Sequence, residues 1–398
     1  MTSTDRFDVA IVGAGPAGCR AAWRMAKAGA RVAMFDGSHP REKPCGGGVT
    51  GRALEFVHDA VEPRAFTAVA IQTATFAQGA LLTRMAIAGP AADPPRLVIA
   101  SRREFDSALL AAAVAAGVCL IPARVLDVTP DGGGWAVATR DGIWRAGWLL
   151  GADGPNSLVR RRVLQPFARA DLSIATGFFV HGATSREIAI AFEEDPPGYL
   201  WSFPRHDHLA VGVCAQADVT SVGALLPIAS RWIARHATGT VRLERYSWPI
   251  PSLRAATLGR ERPAGPGWML LGDAGGMVDP ITREGIFFAL ISGDAAAGSL
   301  LAGGDCAAEY TRRIRAAVHS ELIRAARLKA HFFTPRFTRL LLHGLERSEG
   351  IRGVMADLIS GRQPYHGLRR RLLSTFEVSL MVDFLRLKAE GLGLRARR

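Results

Sequence analysis

Gly13-Ala14-Gly15-Pro16-Ala17-Gly18 is the first stretch with the makings of a binding site. Gly13 permits a tight turn, Gly15 lets a pyrophosphate approach the backbone, and Gly18 lets a helix pack close to a sheet. Phosphates held there meet the positive end of the helix that Pro16 and Ala17 open. Asp36 stands 23 residues after Gly13, where a carboxylate accepts from ribose hydroxyls and repels a 2′-phosphate. The pattern predicts a bound dinucleotide, FAD or NAD rather than NADP. Two later turns, Gly151-Ala152-Asp153-Gly154 and Gly272-Asp273-Ala274-Gly275-Gly276, follow apolar runs and can offer carboxylates to ribityl or ribose hydroxyls.

Lys43-Pro44-Cys45-Gly46-Gly47-Gly48 sets a thiol beside glycines, and missing side chains there leave room for a flat ring to come close. Tyr199, Trp201 and Phe203 share one face of a strand by its period of two. Such a wall suits an isoprenoid chain, and the same spacing also suits an ordinary sheet core. Cys45 likewise reads equally as a small core residue or a working thiol. Cys19, Cys119, Cys214 and Cys306 are read as structural. No histidine recurs at metal-ligand spacing, so no metal is expected.

The elements that must carry these residues begin as strand 8–12, helix 16–28 and strand 31–36, a βαβ start. Further strands are expected at 67–76, 80–87, 119–121, 124–128, 135–139 and 148–151, with a helix over 103–116. From 172 to 248 short strands dominate, broken by a helix at 222–236, which reads as an antiparallel sheet. The α/β pattern returns at 268–271, with a helix from about 284. Residues 311–398 read as helical, with breaks at Pro335 and Pro364.

The three glycine and acid motifs, in this order, resemble the flavoprotein superfamily that includes p-hydroxybenzoate hydroxylase, in which the dinucleotide is FAD. Arg102, in Ser101-Arg102-Arg103-Glu104-Phe105-Asp106, matches the arginine that family places near the FAD phosphates. The Cys45 loop and Tyr199-x-Trp201-x-Phe203-Pro204 carry a narrower resemblance to the geranylgeranyl reductase family of FAD-dependent oxidoreductases. Its pattern continues to G-x-G, where this chain reads Gly212-Val213-Cys214. The stretch Val278 to Gly285-Ile286 resembles that family's flavin-contacting loop and helix start. There Arg283 replaces a frequent glycine, and its side chain is expected at the flavin edge.

The resemblance implies an α/β fold: a discontinuous Rossmann-type FAD-binding domain (1–65, 96–165 and 265–310), an antiparallel substrate domain (66–95 and 166–264) and a basic helical segment (311–398). It implies reduction of carbon–carbon double bonds in a polyprenyl chain, with hydride from N5 of reduced flavin and a proton added to the alkene. Cys45, Tyr199 and Trp201 are the candidate catalytic residues, and Tyr199, Trp201 and Phe203 the candidate substrate wall. Candidate cofactor contacts are Gly13, Gly15, Pro16, Ala17, Gly18, Asp36, Gly46, Gly47, Arg102, Asp153, Asp273, Gly285 and Ile286. A prenylated lipid, quinone or pigment is the expected substrate. No second dinucleotide motif is present, so electrons are expected from transiently bound NAD(P)H or from ferredoxin. A monooxygenase acting on an aromatic or apolar ring is the alternative, since it shares the FAD motifs.

Of 398 residues, 48% are hydrophobic and 21% charged, which excludes a disordered chain and a disulfide-stapled miniprotein. No apolar run approaches the roughly 18–20 residues of a bilayer span. Five cysteines without a C-x-x-C pair point to a reducing compartment, and MTSTDRF leads straight into DVAIV without a leader pattern. A cytoplasmic location is therefore expected. Residues 1–310 carry a net charge of +1 and residues 311–398 a net +12. That end is expected to face an anionic surface. Nucleic acid is disfavoured because no RNA-binding motif accompanies the charge. Phe337, Leu341 and Leu345, with Leu340 beside them, recur at helical spacing, and Leu372, Leu373 and Phe376 follow Arg369-Arg370-Arg371. Peripheral binding to the inner face of the membrane, apolar side down, is the resulting expectation, the alternative being that these apolar residues pack onto the FAD domain while the arginines stay solvated.

Overall fold

The computed structural model describes residues 6–62, 64–88 and 95–375. Its central strand, Phe7–Val12, buries Val9 and Ile11 under long helices on one face and Ala10 and Val12 under antiparallel strands and a short helix on the other. The sheet runs in the order Ala264–Gly265, Trp268–Leu270, Gly142–Gly151, Phe7–Val12, Val32–Phe35 and Cys119–Ile121. Gly134–Thr139 and Asp127–Asp131 extend it as antiparallel partners beside Gly142–Gly151.

Register decides where the motifs emerge. Val12 pairs with both Gly151 and Phe35, and Gly151 pairs with Leu270. Four parallel strands therefore end on one level. The loops that begin at Gly13, Asp36, Ala152 and Leu271 leave the same carboxyl edge, where open α/β sheets bind ligands.

A seven-stranded sheet follows the order Arg242–Pro251, Leu172–His181, His208–Gln216, Pro197–Pro204, Glu187–Glu194, Thr73–Gln78 and Leu81–Ala86. Its pairs are antiparallel, as expected, apart from Glu187–Glu194, which runs parallel to Thr73–Gln78. Those two strands are more than a hundred residues apart, and no hairpin constrains their direction. Alternation sends Tyr199 and Trp201 to one face of Pro197–Pro204 and Leu200 to the other, against the helix Val222–His236.

The aromatic face is roofed by the C-terminal helices Ser320–Phe332, Pro335–Arg347 and Glu349–Ile359. Phe332, Leu342, Leu345, Met355 and Leu358 join one buried cluster with Phe76, Phe192, Tyr199 and Trp201. Pro335 starts its helix at the first turn, where a missing N–H costs nothing. This corrects the membrane-facing expectation for Phe337, Leu341 and Leu345: Leu345 is fully buried, and the other two pack on the sheet cluster. An apolar helical stripe looks alike whether a bilayer or a bare sheet face receives it, and here the sheet needs cover. The short helix Leu368–Ser374 exposes Arg369, Arg370 and Leu373. Phe376 lies outside the described residues. Among the described residues no helix is long and apolar enough to cross a membrane.

Candidate active site

Gly13 adopts φ +105°, and a Cβ there would stand 2.3 Å from the carbonyl oxygen of Ala152. A Cβ on Gly18 would stand 2.0 Å from the Gly13 carbonyl oxygen. Chain packing thus demands both glycines. Gly15 differs: its Cβ would meet nothing within 4 Å. The helix Pro16–Lys27 begins there with no side-chain cap and no acid in its first turn. Open space in front of uncapped N–H groups fits a pyrophosphate.

At the end of Val32–Phe35, Asp36 binds this turn and its own loop. Oδ2 accepts from the Ala14 N–H (2.9 Å), and Oδ1 accepts from the N–H groups of Ser38 (2.7 Å) and His39 (3.0 Å). His39, which the motifs did not single out, places Nδ1 2.7 Å from Asp36 Oδ2 and Nε2 3.3 Å from Asp106 Oδ2. Asp106 in turn accepts from Arg102 Nε (3.0 Å) and Nη2 (2.7 Å). Burial alone would raise the Asp36 carboxyl, but the hydrogen bond and charge of His39, with backbone donors, hold it well below the usual carboxylate range. Burial disfavours charge on His39 as well, yet the two flanking carboxylates raise its pKa. A row of alternating charge thus links Asp36 through His39 and Asp106 to Arg102, whose guanidinium also interacts with the Cys45 side chain.

The other acids are occupied differently. Asp153 Oδ2 accepts from the N–H groups of Leu158 (2.6 Å) and Val159 (3.2 Å), so it caps the following short helix, while Oδ1 is buried without a partner among the described residues. Burial raises its pKa, against those hydrogen bonds. Asp273 Oδ2 pairs with Lys43 Nζ at 3.1 Å. Gly285 ends the loop and caps the helix Ile286–Ala302 without a side-chain hydrogen bond, leaving a second bare helix start. Arg283 takes φ +62°, a conformation that costs a side-chain-bearing residue about 1 kcal/mol and that glycine adopts freely. Its Nη1 donates to Ser252 Oγ.

The Cys45 loop closes on the second sheet. Cys45 Sγ accepts from the Gly47 N–H at 3.3 Å. A Cβ on Gly46 would lie 2.6 Å from the Phe203 ring, and one on Gly47 would lie 2.5 Å from Arg205 Cζ. This corrects the reading of these glycines as room for a flat ring, because the protein's own side chains fill that room.

Beyond Cys45 the chamber is aromatic. Tyr199 and Trp201 have ring centroids 6.1 Å apart, and Phe333 stacks on Tyr199 at 6.0 Å. In the neighbouring strand Gly212 lies under the Trp201 ring and Cys214 opposite Tyr199, so the departure from G-x-G falls beside the wall. One continuous cavity of about 650 Å³ joins the cradle to the chamber. It is lined by Gly13, Gly15, Pro16, Ala17, Asp36, Cys45, Gly46, Gly47, Arg102, Asp153, Asp273, Gly285 and Ile286 at one end and by Tyr199, Trp201 and Phe203 at the other. Gly18 stands behind, packed against Gly13. Phe332, Phe333, Met355, Leu358 and Ile359 complete the lining from helices whose local sequence shows no site signal.

Residues 6–258 match the FAD binding domain family. The chain is 30% identical over 329 residues to a menaquinone reductase of Mycolicibacterium smegmatis, covering 75% of this chain and 77% of that one. It is 28% identical over 386 residues to a digeranylgeranylglycerophospholipid reductase of Methanothrix thermoacetophila, covering 89% and 96%. A solved geranylgeranyl bacteriochlorophyll reductase-like protein from Thermoplasma acidophilum shares the fold with a TM-score of 0.76 at 22% identity, over 94% of this chain and 100% of that one. With a dinucleotide cradle opening into an aromatic chamber, the chain belongs to the geranylgeranyl reductase family of FAD-dependent oxidoreductases.

Proposed function

We propose that this oxidoreductase saturates carbon–carbon double bonds in the polyprenyl chain of a lipid, quinone or pigment. The observation that carries the reading is the single cavity running from the cradle past Cys45 into the aromatic chamber. Relatives named for reducing menaquinone and digeranylgeranylglycerophospholipid support the same substrate class.

Bound FAD in its reduced form supplies the hydride. The chain's residues supply the rest. Gly15 and the bare starts of two helices receive the phosphates and the pyrimidine end, and Asp36 receives the ribose. Phe332, Phe333, Met355 and Leu358 roof the chamber and exclude water. An isolated alkene gains a proton as it accepts hydride, so positive charge develops on a tertiary carbon. The faces of Tyr199 and Trp201 favour such a cation by on the order of 1–2 kcal/mol in a dry site. Cys45, at the junction of cradle and chamber, is the candidate to hold the proton at Sγ. Electrons arrive from NAD(P)H or ferredoxin.

The test is anaerobic single-turnover reoxidation of the dithionite-reduced protein by geranylgeranyl diphosphate and by menaquinone. Reoxidation with a saturated product is expected, and Trp201→Ala should slow it roughly tenfold with FAD content intact. Absence of alkene reduction, together with NAD(P)H oxidation coupled to ring hydroxylation, would install the monooxygenase reading instead.

A further inference from the structure

Arg205 is among the largest fully buried side chains of the protein, and it touches neither end of the cavity. It follows Phe203 and Pro204 at the end of the aromatic strand, and its N–H closes the hairpin turn on the His208 carbonyl oxygen (2.7 Å). Its guanidinium reaches the other way, into the loop that carries Cys45. Nη2 donates to the Cys45 carbonyl oxygen at 2.9 Å, and Nη1 donates to the Ala100 carbonyl oxygen and stands 3.2 Å from Glu42 Oε1.

These bonds form a closed ring. Arg205 holds the Cys45 and Ala100 carbonyls, the Ala100 N–H donates to the Gly47 carbonyl (2.9 Å), and the Gly47 N–H donates to Cys45 Sγ. A Cβ on Gly47 would stand 2.5 Å from both the guanidinium carbon and the Ala100 carbonyl oxygen, so the arginine docks only because the loop has glycine there. Phe203 presses on Gly46 two residues before. A planar fork can address two carbonyls and a carboxylate at once, which the point charge of a lysine cannot.

The geometry points to Arg205 as the positioning residue for Cys45: it fixes the thiol-bearing loop against the strand that carries Tyr199 and Trp201. The assignment rests on Cys45 acting at the junction, as proposed above. Arg205 itself touches no substrate and acts through the loop alone.

The experiment uses FAD-loaded full-length protein with Arg205→Lys and Arg205→Gln. Alkylation by iodoacetamide is followed at Cys45 by peptide mass spectrometry, with the exposed Cys119 as internal reference. Releasing the loop should raise the Cys45-to-Cys119 rate ratio by about tenfold. Single-turnover reduction of geranylgeranyl diphosphate should fall at least about tenfold while KM changes less than about threefold. If Arg205→Gln loses FAD, Arg205→Lys carries the test, since it keeps the buried charge and removes only the fork. An unchanged labelling ratio in FAD-loaded Arg205→Lys overturns the assignment, as does a raised KM at constant kcat. If the parent protein reduces no prenyl chain, the labelling ratio still decides the hold on Cys45, so the two readings fail separately.

Discussion

Gly15 and His39 show how single residues at one site can be separated by what they do. Gly15 has an ordinary extended backbone, and its Cβ would enter open space, so Gly15→Val should fold. The added side chain would occupy the phosphate space instead. FAD affinity is expected to fall about 100-fold, or roughly 3 kcal/mol, with little change in the melting temperature of the apoprotein. Flavin absorbance of the purified variant and titration with added FAD check this, and a variant that retains FAD would remove Gly15 from the cradle. His39 is legible only in three dimensions. Its folded pKa is raised by Asp36 and Asp106, so its stabilisation is complete below the ordinary histidine pKa of about 6.5 and is lost as pH rises through the folded value. His39→Asn should cost about 3 kcal/mol at pH 6 by leaving two buried carboxylates without their bridge. The difference between parent and variant melting temperatures should shrink towards pH 9, and a pH-independent difference would refute the bridge.

At the scale of elements, the helix Pro335–Arg347 shows why an amphipathic pattern does not name its partner. Sequence spacing alone allows a membrane or a sheet, and Leu345 settles the matter for this helix by being fully buried in the cluster of Tyr199 and Trp201. Leu345→Ala should therefore destabilise the protein in solution by roughly 3 kcal/mol through a cavity, read as a lowered urea midpoint. Prenyl reduction should fall with it, because the helix belongs to the roof of the chamber. Unchanged stability would return the helix to the surface. The helix Arg102–Ala115 makes the opposite point. Its start is stabilised locally, as the Ser101 side chain at the N-cap accepts from the Glu104 N–H. Its deeper anchor is not, since Glu42 also accepts from the Ser101 hydroxyl and the Arg102 N–H.

For the whole molecule, the net +12 over residues 311–398 remains after the apolar helix faces are committed to the sheet, with Arg369 and Arg370 exposed. An electrostatic rather than an insertive membrane contact is the expected outcome. The protein should co-sediment with anionic vesicles at low salt, at about 1 kcal/mol per engaged basic residue, and release as the Debye length shrinks towards about 3 Å at 1 M salt. Equal binding to neutral vesicles, or none to either, would refute it. The sequence by itself determined what local backbone geometry dictates. The glycine spacing wrote the cradle, and strand alternation put Tyr199, Trp201 and Phe203 on one face. Only the tertiary structure decided which partners close the site. Lys43 meets Asp273 across 230 positions, Arg205 meets Cys45 across 160, and Glu187–Glu194 finds Thr73–Gln78 without a hairpin. Periodicity reports which face of an element is apolar, but contacts between distant segments depend on the register and packing of the assembled sheets, which no local spacing encodes.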